Sequence, residues 1–180
     1  MRAFVALSGM KPLGEELKEL SDISLGEPIQ TLGVLADYVA GRIQRGVRPD
    51  RVTLAHPELA ALAEPIGAQV GRLRSISESL LREHRGEIAA RQFQQKRLAD
   101  AVADLYGQVA TLSRITSILA DQGVEPSGQE LYIAETFCTR AARRVERNLD
   151  QVEHHDDERM TAIAKLAYKR GEYGYAFFDD

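Results

Sequence analysis

FQQKRLADAVADLYGQVATLSRITSILADQ, residues 93–122, is the stretch on which the fold turns. Leu98, Val102, Leu105, Val109, Leu112, Thr116 and Leu119 recur at steps of four and three, which draws one face of a long amphipathic helix. An apolar seam of that length needs partner helices, so the stretch predicts a core element of a bundle. Lys96, Asp100, Asp104, Gln108 and Arg114 stand on the other side and are expected to meet solvent or polar neighbours. The expectation is an all-α protein, an antiparallel helical bundle preceded by shorter helices. No catalytic chemistry is visible in the stretch itself.

Partners for the seam lie on both sides of it. His56-Pro57-Glu58-Leu59 opens a helix, since proline suits the first helical position and glutamate the first turn. Leu59, Leu62, Ile66, Val70, Leu73, Ile76 and Leu80 trace its apolar face, and Pro65 inside the pattern predicts a kink or a split-off first turn. His56 reads as part of the cap, because no second ligand at metal spacing accompanies it. Gly86 after Arg85 is the expected C-cap, and so short a connection makes the long helix, over 89–122, return antiparallel. Gly123 to Gly128 ends it and offers Ser127 as the next cap. Residues 129–152 then place Leu131, Ala134, Cys138, Ala141, Val145, Leu149 and Val152 inward. Arg140, Arg143, Arg144 and Arg147 form an outer basic face, expected to be solvated. Asp156 and Asp157 suit the cap of a last helix over 158–170 better than they suit a metal site with His154 and His155. Adjacent residues point different ways, whereas ligand pairs sit at i and i+3 or i+4. Residues 171–180, GEYGYAFFDD, are expected to pack on the bundle or a partner subunit, or to fray as an exposed sticky tail.

Upstream, residues 1–9 read as a helix already under way, with Phe4, Val5 and Leu7 apolar and no N-cap before them. Pro12 to Leu20 reads as a separate short helix, and Pro28 to Gln44 as another with Ile29, Leu32, Leu35, Val39 and Ile43 on one face. Arg42, Arg45, Arg48 and Arg51 follow at near-helical spacing. An apolar face running into such a cluster suits a helix lying on an anionic membrane surface. Arginines facing the negative pole of a helix dipole give the same pattern. The chain is expected to divide into residues 1–54, the connecting helices with this basic amphipathic segment, and 55–180, the bundle.

A chain of 180 residues can bury one or two cores. The 23 Lys and Arg against 27 Asp and Glu, a formal net charge of −4, exclude bulk nucleic-acid binding. Trp is absent, which argues against a stacking platform for bases. Cys138, the single cysteine, can form neither an internal disulfide nor a Cys-rich metal knuckle, and a reducing compartment is expected. No window approaches the roughly 18 consecutive apolar residues of a membrane span, and no secretory signal is evident.

Three short motifs carry a family resemblance. Arg97-Leu98-Ala99-Asp100, Asp104-Leu105-Tyr106 and Leu112-Ser113-Arg114 stand in the order seen in a long helix of the C-terminal extension of very-long-chain acyl-CoA dehydrogenases and their close paralogues. Residues 2–9, RAFVALSG, resemble the end of a helix that follows a flavin-contacting stretch in those enzymes. His56 to Leu59 resembles the opening of their first bundle helix. The resemblance covers nearly the whole chain, from Arg2 to about Gly171.

It implies a parent flavoprotein of fatty-acid β-oxidation, in which a glutamate abstracts an α-proton while hydride passes from the β-carbon to FAD. That glutamate, the flavin contacts and the acyl-CoA cavity would all lie upstream of Met1, so no catalytic, cofactor-binding or metal-binding residue is implied here. The implied partners are a catalytic domain of the same protein, further subunits of a homo-oligomer and a membrane surface, which Arg42, Arg45, Arg48 and Arg51 would face. The implied location is mitochondrial in a eukaryote, and cytoplasmic or membrane-peripheral in a bacterium.

A free-standing helical interaction module is the competing reading. Burial of Phe4, Val5 and Leu7 against Leu112 or Leu119 would favour it, and their exposure would favour a missing domain. An independent enzyme has little support, because no nucleophile, phosphate loop or oriented base accompanies the acids Asp100 and Asp104. Arg97, one turn before Asp100, predicts a helix-stabilising ion pair instead.

Overall fold

The computed structural model describes residues 2–21 and 51–172. Most of these residues are helical, with no strand among them. Helix α1 spans Arg2–Ser21, α2 Ala60–His84, α3 Gln92–Gln122, α4 Gly128–Glu153 and α5 Asp157–Arg170. Short 3-10 turns at Pro57–Leu59, Arg85–Ala90 and Glu125–Ser127 precede α2, α3 and α4. α3 is the central element, packing against α4, α1 and α2, while α2 also packs on α4. Turns this short leave sequential helices antiparallel.

The seam of α3 is rotated from the expected one. Gln94, Leu98, Ala101, Leu105, Gln108, Leu112, Ile115 and Leu119 are buried, whereas Val102 and Val109 are 37% and 42% exposed. Both rows share the four leucines and step by four and three, so helical periodicity fits either. Gln69 of α2 meets Gln108, and Arg144 of α4 meets Asp104, which puts the partner helices on the side of Ala101 and Gln108. Gln108, expected outside, is therefore fully buried.

The neighbouring helices follow the sequence more closely. Ala134, Cys138, Ala141, Val145, Leu149 and Val152 of α4 are all buried, with Leu131 packed at the margin. Each fully buried leucine among such contacts contributes about 1.5–3 kcal/mol of transfer free energy. Leu59 of the preceding turn and Ala63, Ile66, Ile76 and Leu80 of α2 are buried, and Gln69 takes the buried place expected of Val70. Pro65 lies inside one continuous helix, and the break falls earlier, between the 3-10 turn and Ala60. One absent N–H donor so near the N-terminus costs a single ladder bond. α1 likewise runs through Pro12 as one helix, where two were expected. Its Ala6 and Met10 are buried, so core packing holds the segments in line. The side chains of Phe4, Val5 and Leu7, the expected helix over 28–44 and the tail over 173–180 lie outside the described residues.

Turn chemistry differs at two places. Arg85 ends α2 with a positive φ of 47°, where Gly86 was expected to close it. The following 3-10 turn delays α3 to Gln92 and buries Ile88, whose carbonyl accepts from Gln95 Nε2 at 2.5 Å. Gly123 closes α3 with φ 85°, a conformation that costs glycine little. Ser127 precedes α4 without capping it, because its hydroxyl donates back to the Gly123 carbonyl at 2.8 Å.

Candidate functional site

Polar side chains of the bundle are mostly committed to holding helices together. Arg72 of α2 reaches Glu146, Asp150 and Glu153 on α4, and these carboxylates hold its guanidinium above its ordinary pKa, with Asp150 the largest influence. Arg144 binds both oxygens of Asp104, with Nη2 at 2.6 Å from Oδ1. That correction to the solvated basic face follows from the rotation of α3, which turns Asp104 toward α4. Asp100 pairs with Arg2 at 2.7 Å and with Lys96 at 3.3 Å. The expected pair of Arg97 with Asp100 is replaced by one with Asp157.

This Arg97–Asp157 pair clamps the elbow between α4 and α5. Two guanidinium nitrogens each lie 2.6 Å from a separate carboxylate oxygen, the two-pronged geometry that makes arginine–carboxylate pairs strong. Asp157 is buried, and Arg97 holds its carboxyl below the usual 3.8. Asp157 is the first residue of α5, and Asp156, at the cap position, makes no capping bond but pairs with Arg159. His155 stands beside the clamp, its Nδ1 at 3.5 Å from Asp157 and its Nε2 at 3.3 Å from the Gln94 amide nitrogen. A cleft of about 300 Å³ opens there, lined by Glu83, His84, Arg91, Gln94 and His155 among others. Among the described residues no group of three or more His, Cys, Asp or Glu could hold a metal ion.

His56 sits where the sequence puts it. Its Nδ1 accepts from the Glu58 N–H at 3.3 Å, while its own N–H donates to Thr116 Oγ1 at 3.0 Å, so the cap also ties the turn to α3. Cys138 is buried, and that burial pushes its thiol up, which disfavours the nucleophilic thiolate. Arg42, Arg45 and Arg48 lie outside the described residues, and Arg51 is exposed in a non-helical segment. None of the described helices is long and apolar enough to cross a membrane.

Several large apolar side chains are exposed, among them Val102 and Val109, which their spacing predicts in the seam of α3. Val102, Tyr106 and Val109 on α3, Tyr132, Ile133 and Phe137 on α4, and Met160, Ile163, Leu166 and Tyr168 on α5 all face outward. On α4 they shape a cleft of about 530 Å³ that ends at Arg140 and Arg144. The Phe137 ring lies so close over Gly107 that a Cβ there would come within 2.9 Å of it. On α3 the exposed row is the one the periodicity picked out, and the buried row through Ala101, Gln108 and Ile115 shares its leucines. Such an arrangement can bind and position other surfaces; it assembles no acid, base and nucleophile.

Residues 57–173 match the family described as ACAD9/ACADV, C-terminal domain. The chain belongs to this family. The matched span runs from the turn before α2 to just past α5, so the ACAD9/ACADV C-terminal domain is here the unit α2 to α5, with α1 packed on it from outside. The very long-chain specific acyl-CoA dehydrogenase, mitochondrial, of Homo sapiens is 31% identical over 180 residues, covering 95% of this chain and 27% of that protein. The Rattus norvegicus protein of the same name is 28% identical over 180 residues, with the same shares covered. That of Mus musculus is 30% identical over 153 residues, covering 83% of this chain and 23% of that protein. The chain thus spans about a quarter of the length of the curated relatives it matches. It is the C-terminal domain of an acyl-CoA dehydrogenase family, all-α and built as a helical bundle.

Proposed function

We propose that the chain serves an FAD-dependent acyl-CoA dehydrogenase of fatty-acid β-oxidation as its non-catalytic C-terminal domain, packing against the catalytic domain and taking part in subunit contacts of a homo-oligomer. The family match over 57–173 carries this reading. The outward Met160, Ile163, Leu166 and Tyr168 of α5 support it, because a row of large exposed apolar side chains marks a surface that another one covers. Residues 55–180 act as the bundle. Residues 1–54 form the end of a catalytic-domain helix and the connection to the bundle, with α1 as the joint that already rests on α3 and α2.

FAD belongs to the part of such a protein that these residues do not include. The α4 cleft is lined by one helix only, with no second wall to clamp a flavin ring. No step of the dehydrogenation falls to a residue of this chain. Arg42, Arg45, Arg48 and Arg51 face an anionic membrane surface on this reading, and no nucleic acid is a partner. The location is mitochondrial in a eukaryote and cytoplasmic or membrane-peripheral in a bacterium. Replacing the four arginines with glutamate abolishes flotation with acidic vesicles; unchanged flotation removes the membrane role.

Intact mass and visible absorption of the protein isolated from the cells that make it test the main reading. A much larger yellow polypeptide that oxidises acyl-CoA is expected. A colourless species of 20.0 kDa overturns it in favour of a free-standing helical interaction module.

A further inference from the structure

Helix α3, 31 residues long, begins uncapped: no side chain bonds its first N–H groups, and its first turn holds no acid. The partial positive charge of a helix N-terminus is therefore unanswered there. Arg91 holds the cap position and is half-buried, with no ion-pair partner among the described residues. Arg91 and Gln94 line the cleft of about 300 Å³ at the elbow, whose walls come from α2, α3, α4 and α5. A second hollow of about 310 Å³ adjoins it, sharing Arg91, Gln94, His155 and Glu158, and reaches the first turn of α3 at Gln92 and Phe93. His84, the last residue of α2, lines the first cleft. Its side chain is 10% exposed, yet neither ring nitrogen makes a hydrogen bond among the described residues, and the Glu83 carboxylate stands 3.8 Å away. A buried imidazole N–H without an acceptor is costly, so the ring points to an occupant of the cleft. We propose that this cleft binds a phosphate group, free or esterified to a small molecule, which takes hydrogen bonds from Arg91, from His84 and from the uncapped N–H groups of α3.

The donors select the ligand. A phosphate presents several acceptor oxygens around one centre, so it can answer a guanidinium, a ring N–H and backbone N–H groups together. Neutral imidazole already carries one donor, so His84 needs no added proton. His155 walls the space without donating into it, since its Nδ1 faces Asp157 at 3.5 Å and its Nε2 faces the Gln94 amide at 3.3 Å. Ile76, Leu80 and Val152 line the same cleft, an apolar patch that suits the organic part of a phosphate ester. Three acids also stand there. Glu153 is held by Arg72 at 3.3 Å, and the Glu83 side chain is 67% exposed. Glu158, in the first turn of α5, is exposed without an ion-pair partner among the described residues. Its charge opposes an anion, and removing it should strengthen binding.

The test is NMR of the histidine ring protons in the full 180-residue chain, titrated at pH 7 and constant ionic strength with inorganic phosphate and, separately, with phenyl phosphate. The His84 signal is assigned by its loss in His84→Gln. A saturable shift of that signal is expected. Arg91→Ala should raise the midpoint about fivefold or more, because a charge-assisted hydrogen-bond donor is lost. Glu158→Gln should lower it about twofold or more, because an opposing charge is removed. Should Arg91→Ala fail to fold by circular dichroism, Glu158→Gln carries the test. A lower midpoint for phenyl phosphate assigns the site to a phosphate ester, and an equal or higher one to free phosphate; both support the proposal. No saturable shift with either compound, the same shift with chloride, or a midpoint that either folded variant leaves unchanged overturns it. Because only this chain is used, the outcome is independent of whether a catalytic domain accompanies it.

Discussion

Replacing Arg97 with alanine tests what holds α5 to the bundle. The native pair has two hydrogen bonds of 2.6 Å, with side chains 16% and 9% exposed. Hydrogen bonds to charged groups contribute about 1.5–3 kcal/mol each, and stripping one partner from a buried pair costs about 3–5 kcal/mol, because the remaining charge stays desolvated. Residual exposure and the nearby His155 set the expectation at the lower end, about 3 kcal/mol at pH 7. The pH dependence has a definite sign. Asp157 ionises more easily folded than unfolded, so its contribution is fully present above about pH 4–5 and is lost as pH falls through the depressed folded value. Urea unfolding of the native protein and of Arg97→Ala at pH 7 and pH 3, with hydrogen exchange of the α5 amides alongside, reads both effects. The loss should shrink at pH 3, because without Arg97 the buried Asp157 takes up a proton more readily and no longer leaves an unpaired charge, and α5 amides should exchange first at pH 7. A loss under about 1 kcal/mol at pH 7, or equal losses at both pH values, refutes the clamp.

Gln108→Leu should change stability by no more than about 1 kcal/mol in urea unfolding, since it removes a carbonyl oxygen buried without a partner among the described residues, a group that costs about 1–3 kcal/mol, and also the long 3.5 Å bond from Gln108 Nε2 to Gln69. A loss well above about 1 kcal/mol, absent in the double variant Gln69→Leu/Gln108→Leu, would show that the bond to Gln69 outweighs the unpaired oxygen. Leu149→Ala, at a fully buried site, should cost about 2–5 kcal/mol through lost transfer energy and the cavity left behind, read from the denaturation midpoint. Cys138 should react with a thiol reagent only after denaturation, given its burial and raised pKa; fast labelling of the native protein would misplace α4.

The row Ala134, Cys138, Ala141, Val145, Leu149 and Val152 was legible in the sequence because it is the one apolar stripe that runs the length of α4, whereas Tyr132, Ile133 and Phe137 stay within its first half, so periodicity and burial coincided. His56-Pro57 and Gly123 were legible for a local reason: ring geometry and freedom of φ fix a cap or a stop without help from distant residues. α3 was different. Its leucines belong to two rows at once, and local periodicity is blind to which row a neighbour will cover. The same blindness hid the Arg97–Asp157 pair, whose members stand sixty residues apart, behind a nearer candidate in Asp100.

The sequence by itself determined that the chain is helical, where most of its helices start and stop, and, through three short motifs, the family to which it belongs. These are properties of spacing and residue identity that no packing can change. Only the tertiary structure decided which face of α3 is core, that Gln108 is inside and Val102 outside, and which acid each arginine holds. Those outcomes depend on where α2 and α4 come to rest, and that position is set by the summed burial of whole helix faces, not by any single stretch of chain.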